Sequence, residues 1–170
     1  AGKSTLMHCM AGLDTRTAGQ VFIGDTDLST LSDKERTLLR REQVGFVFQA
    51  FNLIPTLTAS ENITLPLDLG GTKPDQGWLD TVIGTVGLTD RLSHRPSELS
   101  GGQQQRGAVA RAMATRPQII FADEPTGNLD STSGAEVLSF MRSAVDDYGQ
   151  TVVMVTHDPV AASYAHQVIF

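Results

Sequence analysis

The chain has 170 residues, enough for one well-buried core and a small satellite lobe. Its 40% hydrophobic and 19% charged side chains are those of an ordinary folded domain, and 13 basic against 19 acidic residues leave a net charge of −6, which argues against a nucleic-acid partner. A lone Cys9 excludes an internal disulfide and fits a reducing compartment, while no apolar run is long enough to span a bilayer, so any work at a membrane would go through a partner.

Residues 3–11 read as a helix, ended by Gly12 and Asp14, with Cys9 a buried, inert thiol among Leu6, Met7 and Met10. Val21, Phe22 and Ile23 form a short strand closed by the turn residues Gly24 and Asp25. Residues 32–41 are helical, with Ser32 as N-cap and Glu35 as its capping-box partner. Their basic side chains (Lys34, Arg36, Arg40, Arg41) read as a solvated helix face. Val44–Phe48 is a second strand. Thr58 and Glu61 form another capping box, and the helix they start is expected to kink or end near Pro66. Trp78, Leu79, Val82, Ile83 and Val86 repeat at helical spacing up to Gly87. A further helix runs over residues 101–115 and stops before Pro117. Residues 119–122 are a continuous apolar run, the mark of a strand covered on both faces. Residues 133–147 are helical, Thr151–Val155 is again a strand buried on both faces, and residues 168–170 begin another strand.

Two stretches of α/β texture, residues 1–50 and 117–170, therefore flank a mostly helical insert at residues 51–116. Strands alternating with helices imply a parallel sheet with right-handed crossovers. In such sheets ligands sit at the carboxyl ends of the strands.

Ala1-Gly2-Lys3-Ser4-Thr5 matches the end of the phosphate-loop pattern G-x-x-x-x-G-K-[ST], whose first glycine would lie upstream of Ala1. In that pattern Gly2 allows close backbone approach, Lys3 reaches the β- and γ-phosphates, and Ser4 ligates Mg²⁺. Alone, these residues are equally consistent with an incidental helix start. Asp123 and Glu124 end the apolar strand in two adjacent carboxylates, placed to hold Mg²⁺ and to polarise a water. An acidic turn before Pro125 is the plainer alternative, but this one follows a buried strand in a chain that already carries the lysine loop. Leu99-Ser100-Gly101-Gly102-Gln103 could be no more than a flexible loop capping a helix, were it not for its place shortly before the carboxylate strand.

In that order these motifs resemble the ATPase subunits of ABC (ATP-binding cassette) transporters, in which Leu99–Gln103 matches the signature sequence. The resemblance covers essentially the whole chain. Gln49 is similar to the family's Q-loop glutamine, Gly127-Asn128-Leu129-Asp130 to its D-loop, and His157 to its switch histidine; His8, His94 and His166 read as structural. Residues 40–49, 52–55 and 122–130 are similar to the lipoprotein-release, macrolide-export and cell-division subfamily. The resemblance implies a P-loop NTPase core of mainly parallel sheet, interrupted by a helical signature subdomain.

It also implies ATP as substrate, with Mg²⁺ held by Ser4, Gln49 and Asp123. Glu124 would be the general base, assisted by His157 and Gln49. Nucleotide would be bound by Gly2, Lys3, Ser4 and Thr5, and by Ser100, Gly101, Gly102, Gln103 and Asp130 at a head-to-tail interface with a second ATPase subunit. A membrane permease would hold the pair at the cytoplasmic face. A Cβ at Gly101 or Gly102 is expected to hold the backbone off the phosphate. Gly107 departs from the family pattern, and a mid-helix glycine costs about 1 kcal/mol relative to alanine. The family's first strands and adenine-stacking aromatic would lie upstream of Ala1, so the chain as it stands is expected to bind ATP poorly. Four other readings are weaker. A repair or chromosome ATPase would carry a long coiled coil, and a translation factor would need a second cassette. A small-molecule P-loop kinase has no use for Leu99–Gln103 or Gln49, and a degenerate regulator is at odds with intact Lys3, Asp123, Glu124 and His157.

Overall fold

The computed structural model describes residues 2–170; Ala1, the opening of the phosphate-loop match, lies outside them. In chain order it runs α1 (Lys3–Met10), β1 (Phe22–Ile23), β2 (Thr26–Asp27), α2 (Asp33–Gln43), β3 (Val44–Phe48), α3 (Ala59–Gly70), α4 (Gln76–Thr85), α5 (Gly101–Ala114), β4 (Ile119–Asp123), α6 (Ser131–Tyr148), β5 (Thr151–Val155) and α7 (Pro159–Ser163). β3, β4 and β5 form a parallel sheet in that order, and β1 and β2 an antiparallel hairpin.

β4 is a continuous apolar run because both of its faces are covered, whereas β5, expected to be buried on both faces, is an edge strand of the described sheet, with Thr151 exposed and the rest half-buried. Ile120 and Ala122 of β4, with Val152 and Met154 of β5, turn towards a core built with α3, α4, α5 and α6. Their neighbours Ile119, Phe121, Val153 and Val155 turn the other way, against Met7 and Ala11 at α1, Leu39 of α2 and Ile23 and Leu28 of the hairpin region. The strict alternation is the two-residue period of a strand. α5 lies so close to β3 that a Cβ at Gly45 would stand 2.8 Å from the Ala112 carbonyl oxygen.

Local signals place the helix starts where the sequence puts them. Ser32 with Glu35, Thr58 with Glu61 and Ser100 with Gln103 each close a capping box. Four other expectations change. Of the two outcomes expected at Pro66, a kink or an end, the end does not occur: α3 continues to Gly70, because Ile63 and Leu67 on either side are buried and hold the helix across the one missing N–H. Residues 168–170 form no strand; no described strand lies beside them to supply a ladder. Cys9 is half-buried rather than buried, its thiol facing the Thr15 carbonyl. Arg40 is not simply solvated, since its guanidinium donates to the Gly12 carbonyl at 2.6 Å and joins α2 to the end of α1.

Candidate functional site

Parallel register sets the site. Phe48, Asp123 and Val155 are partners across the sheet, so the residues that follow them (Gln49, Glu124 and Thr156) leave the strands abreast. α1 points its N-terminus at this edge. Gly2 is its N-cap in the left-handed region at φ 91°, a conformation only glycine takes readily. Lys3 and Ser4 then face the strand ends: the Lys3 ammonium donates to the Thr156 carbonyl at 3.3 Å, and the Ser4 hydroxyl donates to Asp123 Oδ1 at 3.0 Å. Thr5 occupies the same first turn.

Glu124 has a positive φ of 48°, rare for a residue with a side chain. Such a backbone costs of the order of 1–3 kcal/mol and persists only where its surroundings determine it. Here the Glu124 N–H donates to the Val155 carbonyl at 2.8 Å, and the Gly127 N–H donates to the Glu124 carbonyl at 3.0 Å. Held so, the carboxylate meets the imidazole of His157: Nδ1 and Oε1 are 2.8 Å apart. The carboxylate is largely enclosed, with 20% of its side chain exposed, whereas His157 is 80% exposed. His8, read as structural, brings Nε2 to 3.7 Å from Asp123 Oδ2. Its spacing of four residues from Ser4, one helical turn, was the signal that could have placed it on this face.

Gln49 is turned towards the loop after β4. Its Nε2 donates to Asn128 Oδ1 and its backbone carbonyl accepts from Asn128 Nδ2, both at 3.1 Å. Gly127 makes room for this, since a Cβ there would lie 2.6 Å from Gln49 Nε2. Asp130 caps α6, accepting from the N–H groups of Thr132 and Ser133. The Ser100–Gln103 turn opens α5, and among the described residues no hydrogen bond joins it to Lys3, Ser4, Asp123 or Glu124. The structure therefore brings together Lys3, Ser4, Asp123, Glu124 and His157. Gln49 sits beside them on Asn128, and the signature turn stands apart.

Gly102 has a packing reason within the chain beside the expected close approach to a phosphate. A Cβ at Gly102 would lie 2.9 Å from Ser133 Cβ of the same chain, so the glycine is required first by α5 packing on α6. At Gly101 the nearest atoms, on Leu129 and Phe51, are at ordinary contact distance of 3.4 Å or more. Among the described residues the buried polar side chains are Asn62 and Gln105, neither of which sequence reasoning placed in the site. Asn62 ties the segment after Gln49 to α3: its Oδ1 accepts from the Ile54 N–H at 2.7 Å, and its Nδ2 faces the carbonyls of Ile54, Leu57 and Thr58.

Among the described residues no cluster of three or more His, Cys, Asp or Glu could hold a metal ion unaided. The Ser4 hydroxyl and the Asp123 carboxylate nevertheless make an all-oxygen pair, partly buried at a strand end. That suits Mg²⁺, which takes one or two protein oxygens and completes its shell with phosphate and water.

The sequence matches the family model described as ABC transporter over residues 1–127. An uncharacterized ABC transporter ATP-binding protein of Methanocaldococcus jannaschii is 48% identical across 99% of this chain and 75% of its own length. The lipoprotein-releasing system ATP-binding protein LolD of Colwellia psychrerythraea is 43% identical over 95% of this chain and 64% of its own. The macrolide export ATP-binding/permease protein MacB of Marinobacter nauticus is 44% identical over 99% of this chain but only 26% of its own. A solved dimeric ATP-binding cassette, in a post-hydrolysis state bound to ADP and Pi, is 42% identical. It shares the fold at a TM-score of 0.82, covering 96% of this chain and 73% of that one.

Proposed function

The chain belongs to the ABC transporter family as an ATP-binding, ATP-hydrolysing cassette with a P-loop NTPase fold, and we propose that it powers a membrane permease by closing head to tail on a second copy around two nucleotides. Among the described residues no helix is long and apolar enough to cross a membrane; the likeness to a lipoprotein-releasing system ATP-binding protein and a macrolide export ATP-binding/permease protein supports a peripheral place on the cytoplasmic side of a permease. The observation that carries the reading is the convergence of Lys3, Ser4, Asp123, Glu124 and His157 at the level carboxyl ends of the strands.

In this reading the α1 N-terminus and Lys3 receive the phosphates, where N–H groups and ammonium both favour negative charge. Ser4 and Asp123 would hold Mg²⁺, which when bound neutralises charge on the β- and γ-phosphate oxygens. His157, donating from Nδ1, orients the Glu124 carboxylate. Glu124 takes a proton from a water whose oxygen bonds to the γ-phosphorus. The bond to the bridging oxygen breaks, ADP leaves with its electron pair, and inorganic phosphate follows. The work of the protein is positioning and charge stabilisation, as in other phosphoryl transfers. Ser100 and the α5 N-terminus, which among the described residues make no hydrogen bond to this cluster, are left for the nucleotide of the second copy.

Glu124→Gln in the intact protein tests both halves. The expected outcome is retained ATP binding, a kcat lower by about 10²–10⁴ and a dimer that persists in ATP. Hydrolysis at the parent rate would remove Glu124 as the base. Loss of turnover without an ATP-dependent dimer would remove the head-to-tail closure. For the permease, recovery of the chain in the membrane fraction should depend on co-expression of that subunit; equal recovery without it would refute the attachment.

A further inference from the structure

Gln105 lies on the second turn of α5, five residues past the Ser100 cap, and is fully buried. A buried amide is costly unless its donors and acceptor are satisfied. Its Nε2 uses both protons on backbone carbonyls of two other segments. One is Phe48, at 2.8 Å, the last residue of β3 before Gln49. The other is Pro125, the residue after Glu124. Among the described residues its Oε1 has no hydrogen-bond partner, a cost that an apolar side chain of similar volume would not carry.

We infer that Gln105 is a positioning residue for ATP hydrolysis, an amide bracket by which the signature helix α5 sets the Glu124 turn and the Gln49 strand end relative to one another. The inference rests on the base role proposed for Glu124. The strained backbone at Glu124 needs restraint from its surroundings, and two of its restraints are backbone bonds local to the sheet edge and the turn. Among the described residues, Gln105 is the one side chain outside that turn that hydrogen-bonds to its backbone. Gln49 and the turn are also clasped on their outer side through Asn128 and Gly127. Gln105 closes the inner side of the same frame. Because Ser100 and Gln105 ride on one rigid helix, a displacement of the signature turn is delivered to the carboxylate through this amide. That route costs no long-range rearrangement: one side chain spans helix, strand end and turn.

The test is steady-state ATPase kinetics of Gln105→Leu and Gln105→Glu in the intact protein, with unfolding midpoints measured alongside. Leucine keeps the volume, removes both donors and also removes the orphaned oxygen. Glutamate keeps the shape but presents an acceptor to two carbonyls, and donates only when protonated. The expected result for Gln105→Leu is a kcat lower by about 10- to 100-fold, the range that misplacement by about an ångström produces, with KM for ATP within about twofold. For Gln105→Glu the kcat should recover towards the parent value as pH falls, a profile that a packing role would not generate. Parent kcat in Gln105→Leu would overturn the inference, as would a KM that rises with kcat unchanged, or failure of both variants to fold. Glu124→Gln assayed beside them keeps the two readings apart. If it hydrolyses at the parent rate the base assignment fails, whereas a Glu124→Gln defect with normal Gln105 variants removes only the bracket.

Discussion

Of two glycines on one helix, the same substitution should stabilise the chain at one and not at the other. Gly107→Ala places a methyl group 3.6 Å from Leu53 Cδ1 and 3.8 Å from Leu88 Cδ1, ordinary contact in a buried site. It gains about 1 kcal/mol of helix preference and up to about 0.8 kcal/mol from the buried carbon, a net stabilisation of about 1–2 kcal/mol. Gly102→Ala gains at most the same preference. Its Cβ, however, would stand 2.9 Å from Ser133 Cβ, an atom fixed to the α6 backbone that cannot rotate away. Forcing α5 off α6 costs about 1–3 kcal/mol, so the variant should be neutral to about 2 kcal/mol less stable. The assay is thermal and urea unfolding without nucleotide, where about 1 kcal/mol moves Tm by about 2–4 °C in a chain of this size. Ser133→Gly removes the opposing Cβ and should restore part of the loss in the double variant, a coupling of about 0.5–3 kcal/mol. If Gly102→Ala raises Tm as Gly107→Ala does, packing against Ser133 is not what requires the glycine. Its role would then lie wholly in approach to a phosphate.

Asn62→Ala should lower stability by about 2–3 kcal/mol at unchanged m, because it strands the Ile54 N–H and the carbonyls of Ile54, Leu57 and Thr58. Rapid hydrogen exchange at the Ile54 amide should accompany it, and an unchanged midpoint would refute the tether. Acid should weaken the fold through its caps. Hydrogen bonds from Ser133, side chain first, hold Asp130 below the usual 3.8; the backbone N–H groups of Ser32 and Thr58 do the same for Glu35 and Glu61 below the usual 4.5. A folded-state value under the unfolded one gives stability that is complete above the unfolded value and is lost as pH falls through the folded one. Urea midpoints should therefore be level above the ordinary carboxylate range and fall below it. Asp130→Asn, which still caps but does not titrate there, should show a shallower acid slope. Equal slopes would refute the assignment.

What the sequence by itself determined is what neighbouring residues encode. Capping boxes lie three residues apart, and the apolar run of β4 shows that both of its faces are covered. The site residues were legible for the same reason: Lys3 and Ser4 open a helix, and Asp123 and Glu124 close a strand. Tertiary structure decided everything that joins distant segments. Ser4 reaches Asp123 across a separation of 119 residues, and Gln49 reaches Asn128 across 79. Neither contact has a local signal, because both depend on the register that levels the strand ends. The same holds for the persistence of α3 through Pro66, for Ser133 beneath Gly102 and for Gln105 between Phe48 and Pro125. Backbone preference acts over one or two turns of chain. Which carbonyl a buried amide meets is settled only when helix, strand and turn are packed together.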